Sequence, residues 1–205
     1  MGAGASPGIQ AAIVAVSASE LAETVAALQP EALEKLKRSV GSDFVACTQP
    51  SIELLRLIKS GEKTCVTIVT DLVARINRVN PAINACSEVL EKSALESAAN
   101  VDAKVAKGEL LRPLEGLPLL VKANIDVAGT LSSASTPALR DWRPSITAPC
   151  VQKLLDAGAI VIAKTHMPEF AMRMDGWNDT FGMIRNPHSL EHSPGGSSSG
   201  TAAAI

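Results

Sequence analysis

The sequence predicts an α/β protein, on three observations. Residues 117–121 and 159–163 are short apolar runs, the pattern of buried strands. A helical segment lies between them. Thr147 can cap it, Pro149 sits in its first turn, Val151, Leu154 and Leu155 face inward, and Gly158 closes it. Strand, helix, strand implies a right-handed crossover and a parallel pairing. The third observation is the helical pattern of the first hundred residues, which supplies cover for such a sheet.

Taken in order, Ser17 and Glu20 form a capping-box pair ahead of Leu21, Val25 and Leu28. Pro30 ends that helix, and Leu33, Leu36 and Val40 mark a second before Gly41. A third is expected from Pro50, carrying Ile52, Leu55 and Ile58 to Gly61. A fourth starts near Val66, repeats Ile68, Leu72 and Ile76, and is expected to stop at Asn80-Pro81. Residues 82–89 read as a short strand. Ala94, Ala98, Val101 and Val105 mark a further helix ending at Gly108. Before Gly108 lies a helical collar. After it, the strand at 117–121 delivers Lys122, a Ser/Thr-rich loop spans 130–136, and Pro194-Gly195-Gly196-Ser197-Ser198-Ser199-Gly200 runs into an alanine-rich helix start.

Composition narrows the function classes. Of 205 residues, 46% are apolar and 20% charged, with a formal net charge of −2. That balance is ordinary for a globular protein. No basic stripe is present and aromatic residues are few, which argues against a nucleic-acid partner. Cys47, Cys65, Cys86 and Cys150 form no CxxC pair. They read as reduced, mostly buried thiols in a reducing compartment, the cytoplasm. No apolar run approaches the roughly 18 residues of a membrane span. Residues 11–16 are too short for a secretion signal and lack a preceding basic segment. The start Met1-Gly2-Ala3-Gly4-Ala5-Ser6 fits the bare myristoylation pattern, against the plainer reading of a flexible tail.

Two features carry candidate chemistry. Lys122 ends an apolar strand. Burial there would lower its pKa and leave a neutral amine able to take a proton. The alternative is a strand-end lysine that snorkels to water. The serine cluster sets hydroxyls between glycines, which permit positive φ and close approach. It is either a helix-capping loop, an anion site at a helix start or part of a catalytic site. It lacks the lysine of a phosphate-binding loop. It fits a bare GxSxG pattern, but residues 186–194 are turn formers rather than the strand a nucleophile elbow needs. His166, His188 and His192 read as ordinary polar residues, and two histidines in a proline-bracketed loop make a weak metal case.

Together these stretches resemble the amidase signature family. The resemblance rests on Gly116-Leu117-Pro118, Val121-Lys122-Ala123-Asn124-Ile125-Asp126-Val127, Gly158-Ala159, Lys164-Thr165 with Glu169-Phe170, Arg185-Asn186-Pro187 and the serine cluster. It covers residues 51–205 as part of an amidase domain, and residues 1–50 carry no match. Val127-Ala128-Gly129 with Thr136-Pro137-Ala138-Leu139 most resembles the indoleacetamide and mandelamide hydrolase branch. The family fold implied is a mixed sheet covered by helices.

The resemblance implies a Ser–cis-Ser–Lys triad that hydrolyses a linear carboxamide to a carboxylate and ammonia or an amine. Lys122 matches the base and Ser197 the bridging serine, after a cis peptide from Gly196. Gly195, Gly196 and Ser198 would support the loop, the substrate or the oxyanion. A small-molecule amide is the implied partner, no cofactor or metal is implied, and a homodimer is left open. The alternatives are an amidotransferase A-type subunit or a catalytically dead scaffold. Three positions depart from the family: Ala123 where Asp is usual, His166 where Asn is common, and Ser199 where glycine is common. The family's nucleophile lies in a later Gly–Ser stretch. The chain is therefore expected to be the amino-terminal portion of a longer amidase, whether a fragment, a truncated gene model or a decayed copy.

Overall fold

The computed structural model describes residue 46 and residues 48–205. Both helices expected before Gly41, the Gly2 pattern and Cys47 lie outside the described residues. The first described helix, α1 (Ser51–Ser60), follows Pro50 and closes on Gly61 at φ 73°. Its inward residues are Leu54 and Ile58, one turn apart, while Ile52 is 75% exposed. The stripe is thus displaced from the one expected, with Leu54 replacing Ile52 on the core face.

Helix α2 (Cys65–Ile83) is capped twice. The Thr64 hydroxyl accepts from the Thr67 amide at 3.1 Å. The Asp102 carboxylate accepts from the Cys65 and Val66 amides at 2.6 and 3.0 Å. A carboxylate is favoured there by the helix dipole. The helix does not stop at Asn80-Pro81. It runs through Pro81 to a left-handed Asn84. A proline in the last turn removes few helical bonds, and continuing buries Ile83. Asn80 instead clamps the next strand, meeting the Cys86 amide at 2.7 Å and its carbonyl at 3.0 Å. Residues 82–84 therefore finish the helix, and β1 is confined to Cys86–Val89. Helix α3 (Glu91–Ala106) buries Ala94, Ala98 and Val101, as its spacing predicts.

Three strands form a mixed sheet in the order β1-β3-β2. Strand β2 (Pro118–Lys122) pairs in parallel with β3 (Ile160–Thr165), and β1 pairs with β3 antiparallel. The crossover helix between β2 and β3 is α4 (Pro149–Asp156). Thr147 does not cap it. Its hydroxyl accepts from the Ala128 amide at 3.0 Å, which ties the helix start to the loop after β2 instead. Strand β3 is buried throughout, and its two faces divide the core. Ile160 and Ile162 pack with α1, α2 and α3. Val161 packs with Val121, Val127 and Val151 beneath α4. This period-2 division is what a central strand covered on both faces requires.

At the amino-terminal end of the parallel strands sits a buried carboxylate. Glu115 is 3% exposed and accepts from Arg112 at 2.5 and 2.9 Å and from Lys104 at 2.9 Å. Gly158 permits this packing, since a Cβ there would lie 2.6 Å from the Glu115 Cα. The hydrogen bonds from Arg112 pull the Glu115 pKa down to about 2. A depressed carboxylate pKa adds stability that is complete above the unfolded value and lost as pH falls through the folded one. Glu115→Gln should cost about 1–3 kcal/mol at pH 7. In urea titrations the gap to the parent chain should close as pH falls from about 4.3 toward about 2. A gap that stays constant to the acid end would refute this role for Glu115.

Candidate active site

The register of β2 on β3 sets Lys122 opposite Thr165. The Ala123 amide continues the pairing, donating to the Thr165 carbonyl at 2.9 Å. Thr165 and the residue after it, at the carboxyl end of β3, also receive the serine loop. Thr165 and Thr201 join hydroxyls at 2.8 Å, and the Gly200 amide donates to the His166 carbonyl at 3.0 Å. Gly200 belongs to the short helix α5 (Ser199–Ala204). A Cβ on Gly200 would lie 2.5 Å from the His166 carbonyl oxygen and nearer still to that of Ala85. No side chain fits this approach.

The result is a meeting of residues 75 apart in sequence. Lys122 Nζ donates to Ser197 Oγ at 2.9 Å and to Ser198 Oγ at 3.1 Å. The Gly196–Ser197 peptide is cis. Ser197 is half-buried, and Ser198 and Gly196 are exposed. Burial lowers the Lys122 pKa. The lysine therefore faces hydroxyls rather than snorkelling away. Neutral, it can accept a hydroxyl proton, the requirement for a general base.

The glycines and the third serine shape the loop. Gly195 has φ 84°, and its amide donates to the Ser193 hydroxyl at 3.0 Å. Gly196 lies against the chain at Met174, where a Cβ would come 2.7 Å from the Met174 Cα. Ser199 is wholly buried, and its hydroxyl donates to the Gly195 carbonyl at 2.6 Å. That bond closes the loop upon itself and gives Ser199 a bracing contact a glycine could not make. His188 and His192 are exposed, and His192 Nδ1 pairs with the Ser189 hydroxyl at 2.7 Å. His166 is buried beside Phe181, with ring centroids 5.5 Å apart. Its Nδ1 has no hydrogen-bond partner, and burial pushes its pKa down to about 4.

Several participants escape sequence reasoning. The loop at 130–136 is not a solvated connection. Thr130, Ser132, Ser133, Ser135 and Thr136 are all buried. Ala134 and Ser135 take φ of 46° and 51°, the left-handed region. The Ala134 amide donates to the Ala123 carbonyl at 3.0 Å, and Asn178 Nδ2 donates to the Ser135 carbonyl at 2.7 Å. The Glu88 carboxylate accepts from the Leu131 amide at 2.6 Å. Spacing says nothing of this, because polar residues in a row ordinarily mean solvent. Lys164, fully buried, was detectable as a charge directly after the apolar run at 159–163.

Residues 67–205 match the Amidase family model, and the chain belongs to that family. It is 39% identical over 164 residues to the A subunit of glutamyl-tRNA(Gln) amidotransferase from Acidothermus cellulolyticus, covering 80% of this chain and 32% of that protein. The corresponding protein of Lachnospira eligens is 37% identical over 155 residues, 76% of this chain and 32% of that one. Among solved structures, native peptide amidase from Stenotrophomonas maltophilia superposes with a TM-score of 0.73 at 36% identity, over 79% of this chain and 34% of that chain. A bacterial aryl acylamidase of the amidase signature family gives 0.73 at 27% identity, over 77% and 33%. The chain thus spans about a third of the length of the curated relatives it matches. Among the described residues, no helix is long and apolar enough to cross a membrane.

The close approach at Gly200 yields a direct test. Gly200→Ala should lower the urea midpoint with little change of slope, at a cost of about 1–3 kcal/mol or more from overpacking against backbone. A loss below about 0.5 kcal/mol would show that α5 can move off the end of β3 freely.

Proposed function

We propose that this chain supplies the base and the bridge of a serine amidase that cleaves the C–N bond of a linear carboxamide. The observation that carries the reading is the Lys122 amine at 2.9 Å from the Ser197 hydroxyl, reached across 75 residues. Neutral Lys122 takes the proton of Ser197, and Ser197 takes that of an attacking serine. The attacking oxygen bonds to the amide carbon, the C–N bond breaks, and the relayed proton leaves on the amine. Water then releases the acyl group. Gly195, Gly196 and Ser198 hold the loop on which this happens. The attacking serine is assigned to sequence that these 205 residues do not contain.

A second reading is favoured by the identity of 37–39% to amidotransferase A subunits. In it the same base and bridge release ammonia for transfer to a tRNA-bound glutamyl group, within a multisubunit partner complex. The Val127-Ala128-Gly129 motif and residues 136–139 support aryl-acetamides as the first substrates to try.

The test joins residues 1–205 to a matching carboxy-terminal portion and measures ammonia released from indoleacetamide and mandelamide. Lys122→Ala and Ser197→Ala should each lower kcat/KM at least about a thousandfold, because relay members act as a unit. The rate should rise with pH through the Lys122 pKa, which burial sets below the ordinary lysine value. Retention of activity in either variant would overturn the relay. Ammonia release from glutamine alone, dependent on partner subunits, would favour the amidotransferase reading.

A further inference from the structure

The bulkiest wholly buried side chain of the described residues is a lysine that the relay does not use. Lys164 is 0% exposed, one residue before the end of β3. Among the described residues it makes no ion pair. Its amine donates to the Ile125 carbonyl and to the Ser132 hydroxyl, the latter at 3.2 Å. Both acceptors are uncharged. The acidic groups whose charge reaches it are Asp126 and Glu88, and Glu88 is itself engaged by the Leu131 amide and by Arg143 at 2.7 Å. Burial lowers the Lys164 pKa to about 8. A neutral amine still has two N–H groups for its two acceptors, so the contacts survive loss of the charge. Burying an amine is costly, and an apolar side chain would fill the same space without that cost. What distinguishes lysine here is what the amine ties together.

Both ties lead to Lys122. Ile125 closes a turn on it, its amide donating to the Lys122 carbonyl at 2.9 Å. Ser132 opens the buried loop that returns through the Ala134 amide to the Ala123 carbonyl at 3.0 Å. We propose that Lys164 is a positioning residue for Lys122. It holds the turn at which Lys122 leaves β2, and so sets the depth at which the Lys122 amine meets Ser197 and Ser198. The proposal rests on the reading of Lys122 as the base. Its observable, however, is the protonation of Lys122 itself, which needs no turnover.

The experiment is competitive labelling of the 205-residue chain with trace acetic anhydride across a pH series. The Lys122 peptide is quantified by mass spectrometry against that of the exposed Lys92, and circular dichroism monitors the fold. In the parent chain Lys122 should become reactive below the ordinary lysine range, as its burial directs. Lys164→Met should raise the Lys122 midpoint by about one pH unit, as the amine loses its fixed depth. Ser132→Ala retains the Lys164 amine and separates position from the loss of a neighbouring cation. It should move the midpoint in the same direction by less. An unchanged Lys122 midpoint in folded Lys164→Met would overturn the proposal. So would a shift in Lys164→Met with none in Ser132→Ala, which would assign the effect to charge. If Lys164→Met does not fold, Ser132→Ala decides alone. Absence of amidase activity with these shifts present would reject the catalytic reading and leave the positioning intact.

Discussion

The site depends on the end of one strand. Thr165 and His166, where β3 finishes, are the common reference for both halves of the candidate relay. Lys122 is fixed to them by parallel pairing. The serine loop is fixed to them through Thr201 and Gly200. Neither half needs to find the other, because each is registered against the same two residues. This is the usual economy of an open parallel sheet, in which a site forms beyond the carboxyl ends of its strands.

Charged groups in this chain divide by the work they do. Asp102 caps α2 across the helix pair, and Glu115 gathers Arg112 and Lys104 at the far end of the sheet. Glu88 and Lys164 approach the loop at 130–136 from β1 and β3, one by accepting and one by donating. A depressed carboxylate at about 2 and a depressed amine at about 8 have opposite causes. Partners favour the ion in the first, and burial disfavours it in the second.

Local chemistry predicted the elements well and their ends less well. The strands at 118–122 and 160–165, their parallel pairing and the helix between them were legible from apolar runs and turn residues. Pro81 misled because the penalty of a proline depends on how many bonds lie beyond it, and here the helix was nearly done. Thr147 misled because its hydroxyl had a better use than its own helix. Ile52 misled because apolar spacing gives a face but not which neighbouring stripe is covered. The approach of Lys122 to Ser197 was available only through family resemblance, since nothing local links residues 75 apart. The buried polar loop was invisible. Its burial is decided by Ala123, Met167 and Asn178, which reach it from three other parts of the chain.

That loop has a consequence for motion. Surface connections usually open by themselves, at little cost to the elements they join. The segment at 130–136 has no such freedom. Its amides and carbonyls are shared with the turn after β2, the residues after β3 and the side chain of Asn178. To loosen it, the molecule must first part those elements from one another. Its amide protons should exchange with solvent on the timescale of the whole sheet, and a protease should find no foothold there while the sheet is intact. A stretch that reads as a Ser/Thr-rich loop is thus a keystone, and amides that polar neighbours would be expected to hand to solvent are among the last to meet water.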